Sequence, residues 1–369
     1  MNVQTDRSLA RTGTARPDLR GRGSEVPRAT TLEQVAARAG VSRQTVSNAL
    51  NAPGKVRPDT LRRVREVIDE LGYRPDTKAR GLRTRSSGLI GYCVAERRAD
   101  SVNTFMDRYL RALTAEVERT GRHVLLFTAA PGAEGLPVYE DLLARSAVDA
   151  FVLSDTQVGD PRHEWLAERG VPFASFGRTG SGTGDQPGPW VDVDGADGTA
   201  QAVRHLLEQG HSRIGFLGLP EGNRVGDDRA EGWRRACAEA GVEASGDLVV
   251  RCADEHRDRG EAAELLLDPG GGPTALVAAN DALALGAYAA LAARGLRVGT
   301  DVAVTGFDDS PTASVLVPGL TSLRQPVERV ARRMVELLDE PDAAGGELLS
   351  PELVVRGSSD PVHSAGGQL

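Results

Sequence analysis

From Gly88 onward the chain repeats one pattern. Short apolar runs alternate with amphipathic helical stretches. The runs are "LIGYCV", "HVLLFTA", "AFVLSD" and "PFASFG", then "WVDVD", "RIGFLG", "DLVVRC", "ALVAAN" and "VAVTGFDD". They are too continuously apolar for strands with one wet face, so they read as strands buried on both sides. Stretches such as "RYLRALTAEVERTG" and "AVRHLLEQG" fall between them. Strand–helix alternation dictates parallel sheets joined by right-handed crossovers. The turn-rich segment Gly177 to Pro189 splits the runs into four and five, which predicts two doubly wound lobes. The expected boundaries are about 88–189 plus 312–340 for the first lobe and about 190–311 plus 341–361 for the second. Ligands of such folds bind at the carboxyl ends of the strands, here between the lobes.

The first 87 residues have a different chemistry. Residues 1–85 hold 18 Lys+Arg against 9 Asp+Glu, while the rest of the chain holds 26 against 43. A basic head on an acidic body suits a polyanionic partner, held by counterion release. Residues 1–28 are rich in Arg, Gly, Pro, Ser and Thr without periodicity and are expected to be a disordered tail, and 362–369 are set apart as a C-terminal tail. Residues 29–76 read as three short helices. Thr31 caps the first, whose inner face is Leu32, Val35, Ala36 and Ala39, and Gly40 stops it. Ser42 caps the second, with Val46, Ala49 and Leu50 inward. The third, "DTLRRVREVIDELGY", turns Leu61, Val64, Val67, Ile68 and Leu71 inward. A Gly-containing tight turn between the first two makes this a helix-turn-helix unit. Its second helix presents Arg43, Gln44, Ser47 and Asn48, residue types that read base edges or hold phosphates. Residues 77–87 form a basic connector.

Several classes of function lack their signatures. No apolar run reaches the roughly 18 residues of a membrane span, and the N-terminal arginines are not followed by a secretory apolar region. Cys93, Cys237 and Cys252 have no CxxC spacing and are expected to be reduced, buried thiols. These features predict a cytoplasmic protein. No Ser-His-Asp order, HExxH, P-loop or GxGxxG after a strand stands at a useful position, and the six histidines are scattered. Neither enzymatic activity nor a metal or cofactor is expected.

"TLEQVAARAGVSRQTVSNALN", "VRPDTLRRVREVIDELGYRPD" and "ARGLRT" resemble the head and hinge of the lactose-repressor (LacI-type) transcriptional regulators. "VDVDGADGTAQAVRHLLEQGHSRIGFLG", "ALVAANDALALGAYAALAARGLRVGTDVAVTGFDD" and "LTSLRQPVERVARRMVELL" resemble that family's core, whose fold is that of periplasmic sugar-binding proteins. The resemblance runs from about residue 29 to 357. It implies a homodimeric repressor on a pseudopalindromic double-stranded DNA operator, released by a small sugar-like effector. It places Thr31, Ser42, Arg43, Gln44, Thr45, Ser47, Asn48, Arg57 and Tyr73 at the DNA. Asn48 stands where many members carry Arg, which favours adenine over guanine there. In the hinge, Ala79 and Leu82 would share a face. Leu82 would wedge into the minor groove, and Gly81 would keep the segment from forming a helix without DNA. For the effector the resemblance indicates Phe105, Arg178, Arg224, Asn280 and Asp308, with Asp281 capping the following helix. Two departures stand out. Either Arg224 or Asp227 could occupy the family's arginine position, and Glu255 and His256 replace an aromatic. The C-terminal "SSDPVHSAGGQL" carries no heptad, so dimers are expected rather than tetramers. A cytoplasmic solute-binding protein, or a regulator with a non-sugar effector or none, is the alternative.

Overall fold

The computed structural model describes residues 30–73, 86–94, 104–180, 186–252, 258–267, 272–340 and 345–360. The predicted tails, Ala79, Gly81, Leu82, Glu255 and His256 lie outside them. The chain divides into two compact units, Met1–Thr84 and Arg85–Leu369.

The first unit is the predicted three-helix head. Helix Leu32–Ala39 opens with a capping box: Gln34 N donates to Thr31 Oγ1 (3.3 Å), and Thr31 N donates to Gln34 Oε1 (2.8 Å). It ends at Gly40, whose φ of 64° only glycine adopts cheaply. Helix Arg43–Asn51 is capped by Ser42, which accepts from Thr45 N (3.1 Å). Helix Pro58–Leu71 starts with proline in its first turn, where the missing N–H costs nothing. Val35, Ala36, Ala39, Val46, Ala49, Val64 and Val67 form the core. The expected inward residues Leu32, Leu50, Leu61, Ile68 and Leu71 pack around it, half-buried. Tyr73 also belongs to this core and is 9% exposed. Its ring packs against the head's core, while its place at the DNA is what the resemblance implies.

The second unit contains two six-stranded sheets. The strands are β1 Leu89–Cys93, β2 His123–Phe127, β3 Ala150–Leu153, β4 Phe173–Phe176, β5 Trp190–Val193, β6 Ile214–Gly218, β7 Val249–Arg251, β8 Ala275–Ala278, β9 Ala303–Phe307, β10 Thr321–Arg324, β11 Gly346–Leu349 and β12 Glu352–Val354. The sheet orders are β11-β5-β4-β3-β1-β2 and β12-β10-β9-β8-β6-β7. Every pairing is parallel except that of β10 with β12.

The lobes differ in extent from the predicted ones. β5 pairs with β4 and β11 and therefore completes the first sheet, whereas 190–193 was expected to open the second. The strands on either side of residues 177–189, β4 and β5, are neighbours in one sheet. β10 sits in the second sheet and β11 in the first, the reverse of the expected allocation. Helix Val327–Leu338 packs on β4, β5 and helix Thr104–Arg119 of the first lobe. The chain therefore crosses between lobes three times, after β5, β10 and β11. The apolar core under the first sheet continues to Ala202, Phe307 and Leu323 of the second lobe. That continuity fixes the base of the cleft, at the carboxyl ends of both sheets.

Candidate functional site

On the head, Arg43 and Gln44 are exposed and Thr45, Ser47 and Asn48 half-buried, all on the second helix. Gln44 Nε2 donates to Asn48 Oδ1 (3.0 Å), so the two amides are aligned one turn apart. Asn51 Nδ2 donates to the Ser47 carbonyl (2.8 Å). Arg43 pairs with Glu33 at 3.0 Å, with both side chains more than half exposed, so little energy holds Arg43 there. Thr31 and Ser42 act as caps through their side-chain oxygens. Arg57 is exposed at the start of the third helix.

Between the lobes lies a cavity of about 630 Å³. Phe105, Arg224, Asn280 and Asp308 of the predicted effector set line it. Phe105 faces Phe176 with ring centres 5.8 Å apart, giving the first lobe an aromatic wall. Asn280 is the N-cap of helix Asp281–Ala293, accepting from Leu283 N (2.8 Å). The expected cap, Asp281, is instead the first helical residue. Buried, it accepts from Ser322 Oγ and Ser310 N, both at 2.6 Å, and so ties down the loop after β9. Burial raises its carboxyl pKa, against the pull of those two donors.

That loop is strained. Asp308 and Asp309 have φ of 107° and 45°, a region L-residues rarely occupy. The kink sends the two carboxylates in different directions. Asp309 pairs with Arg324 (2.7 Å) and Arg356 (2.6 Å). Asp308 lines the cleft, accepts from Gln325 Nε2 (2.6 Å) and lies 3.8 Å from Arg229.

Arg178 is not in the lining. It is 8% exposed and held by Asp192 of β5 (Nε–Oδ2 3.0 Å) and by Asp228. The structure thus sets it just behind the lining, with Nε and Nη2 on carboxylates, whereas the resemblance indicates a direct effector contact. Burial raises the Asp192 carboxyl pKa while the guanidinium opposes the shift. Helix Arg224–Glu239 sends the two candidate side chains in different directions. Arg224 lines the cavity, bonds Asp228 (3.2 Å) and donates to the Gly180 carbonyl. Asp227 turns away to Arg251 (2.6 Å).

Sequence reasoning missed Asp192, Asp228, Arg229 and Gln325, all of which line the cavity. Arg229 is the most telling. It is 6% exposed, donates to the Ala279 carbonyl (2.5 Å), and its guanidinium lies 3.6 Å from the Phe307 ring centre. Burial lowers its pKa, with Asp308 the leading opposing charge. A signal was present: Gly226, Arg229, Ala230, Trp233, Ala236 and Cys237 form the buried stripe of the helix, so this arginine occupies a core position.

Comparison with known proteins places both units. Residues 31–76 match the bacterial regulatory proteins of the lacI family, and residues 203–359 match the periplasmic binding protein-like domain. The HTH-type transcriptional regulator CelR of Thermobifida fusca is 36% identical over 330 residues, 88% of this chain and 95% of CelR. AglR of Rhizobium meliloti (strain 1021), also an HTH-type transcriptional regulator, is 34% identical over 89% of this chain and 94% of its own. Among solved structures, a complex of the transcriptional regulator CelR with cellobiose superposes with a TM-score of 0.67 at 33% identity, covering 89% of this chain and 99% of the other. The lac repressor dimer bound to operator and the anti-inducer ONPF gives a TM-score of 0.75 at 26% identity, covering 90% of this chain and all of the other. With a matching head, a matching core and relatives aligned over nearly their full length, this chain belongs to the lacI family of DNA-binding transcriptional regulators.

Proposed function

We propose that the chain is a non-enzymatic cytoplasmic repressor of a sugar uptake or catabolism operon, released from its operator when a small sugar binds between the lobes. The observation that carries this reading is the composition of the cleft. One wall offers Phe105 and Phe176 as apolar faces. The other offers Asp308, Asn280 and Gln325, a set suited to the hydroxyls of a carbohydrate. The cellobiose complex of CelR supports the choice of ligand class. The test is a panel of neutral mono- and disaccharides, cellobiose included, titrated into the full chain on labelled operator DNA. At least one sugar is expected to lower operator affinity. Silence across the panel would remove the sugar from this reading.

The head supports a direct readout. Asn pairs bidentately with adenine, and Gln does the same. Gln44→Ala and Asn48→Ala are each expected to weaken cognate-site binding by about 1–3 kcal/mol and to change random-DNA binding little. Competition binding at fixed salt measures both. Equal losses on both DNAs would move these side chains to phosphate contacts.

One recognition helix per chain implies two copies on one pseudopalindrome, with the heads about one helical turn apart. The operator-bound lac repressor dimer supports that arrangement. Sedimentation of the full chain at micromolar concentration is expected to show a homodimer, and a monomer both with and without operator would contradict it.

A further inference from the structure

Among the described residues the arginines at the cleft are all paired within the protein, and carboxylates outnumber them. Among the described residues, Arg224 and Arg229 are the cationic side chains lining it. Asp155, Glu221, Asp192, Asp228 and Asp308 line it with negative charge. Arg229 is committed to Asp308 (3.8 Å), the Ala279 carbonyl and the Phe307 face. Arg224 is committed to Asp228 (3.2 Å) and the Gly180 carbonyl. Arg178, just behind the lining, is committed to Asp192 (3.0 Å) and Asp228. Asp228 thus serves two arginines at once, one from each lobe, and its side chain is 25% exposed.

This arrangement discriminates by charge. A phosphate or carboxylate entering the cleft would have to displace a protein carboxylate already in place. It would also meet the remaining carboxylates where burial weakens solvent screening. A hydroxyl meets no such barrier, because it donates to a carboxylate oxygen and gains a charge-assisted bond.

We propose that Asp228 determines the charge class of the effector: by neutralising Arg178 and Arg224 across the cleft it restricts binding to uncharged polyols and excludes phosphorylated or carboxylated ones. This rests on the sugar-effector reading for the identity of the ligand, but not for the exclusion of anions. Specificity arises here from a built-in competitor and not from an added contact.

The test uses the full chain and tryptophan fluorescence. All three tryptophans, Trp165, Trp190 and Trp233, belong to the second unit, so the signal comes from that unit and not from the head itself. Trp190 lies 5.5 Å from the Arg178 guanidinium and reports on its surroundings. The wild type is titrated with inorganic phosphate against chloride at matched ionic strength, and with glucose against glucose 6-phosphate. Neither anion is expected to bind in preference to its control. Asp228→Asn is expected to bind phosphate at least about tenfold more tightly than the wild type, since two arginines lose their shared counter-charge. Adding Arg178→Gln to Asp228→Asn is expected to reverse most of that gain. A folded Asp228→Asn chain with no gain overturns the proposal. So does a wild type that prefers the phosphorylated sugar, and this arm decides the matter should the variant not fold. If the phosphate results come out as expected while no neutral sugar binds, the charge assignment stands and the sugar reading falls.

Discussion

Gly232→Ala is expected to lower the melting temperature of the second unit by roughly 5 °C, the equivalent of about 3 kcal/mol for a unit of this size. The cause is a backbone crossing. Helices Gly195–Glu208 and Arg224–Glu239 meet so closely that a Cβ on Gly232 would lie 2.1 Å from the Ala196 carbonyl oxygen and 2.8 Å from its Cα. Both obstacles are main chain, so no side-chain rotation relieves them. The helices must separate, and Trp233, fully buried beside Gly232, loses packing as they do. The same helix carries Arg224, Asp228 and Arg229 to the cleft, so effector response should weaken with stability. Gly260→Ala is the control of opposite sign. A Cβ there meets nothing within 4 Å in helix Asp258–Leu266, and a gain of about 0.5–1 kcal/mol is expected. Differential scanning calorimetry of both variants measures the contrast. A Gly232→Ala chain as stable as the wild type would mean the helices cross less tightly than described.

That crossing shows what the sequence exposes and what it hides. Local pattern exposes elements. The caps Thr31 and Ser42, the stop at Gly40 and the nine apolar runs each rest on residues a few positions apart, and the structure forms every one of those elements. Allocation between sheets is hidden. "WVDVD" is as apolar as its neighbours on either side, and only its pairing with β4 and β11 assigns it to the first lobe. The Gly-rich stretch before it reads as a boundary, yet the strands it separates, β4 and β5, pair in one sheet. Adjacent polar residues are hidden in another way. Asn280 and Asp281 are both good caps by type, and the side chain that caps is known only once the loop after β9 has claimed Asp281. Arg178 reads as a cleft residue at a strand end, correctly near the site, but its neutralisation depends on Asp192 and Asp228, which lie 14 and 50 positions away. Asp308 was legible because "GFDD" ends a strand and the resemblance singles it out.

Asp308→Asn is expected to weaken effector binding roughly ten- to a hundredfold, the loss of one hydrogen bond to a charged group. Operator affinity without effector should stay within about twofold, since Asp308 belongs to the effector-binding unit. Asparagine is a cleaner probe than alanine. It tolerates the φ of 107° better, and its Oδ1 still accepts from Gln325 Nε2. The variant therefore removes charge while the strained turn persists. Arg229 keeps the Ala279 carbonyl and the Phe307 face, so it is not left without partners. A ligand touching Phe105 on one lobe and Asp308 on the other favours one lobe angle over another, and only such a differential affinity reaches the DNA. If the effector releases the operator as proposed, reciprocity requires operator DNA to weaken effector binding by the same factor, typically about 1–3 kcal/mol. Leu82→Ala is the converse variant: if the hinge assignment holds, it weakens operator binding and spares effector affinity in the free chain. Titrating effector into each variant with and without operator gives all four affinities. Unchanged effector affinity in Asp308→Asn would place the ligand away from the β9 turn, and a loss of both affinities in Leu82→Ala would end the assignment of that residue to DNA alone.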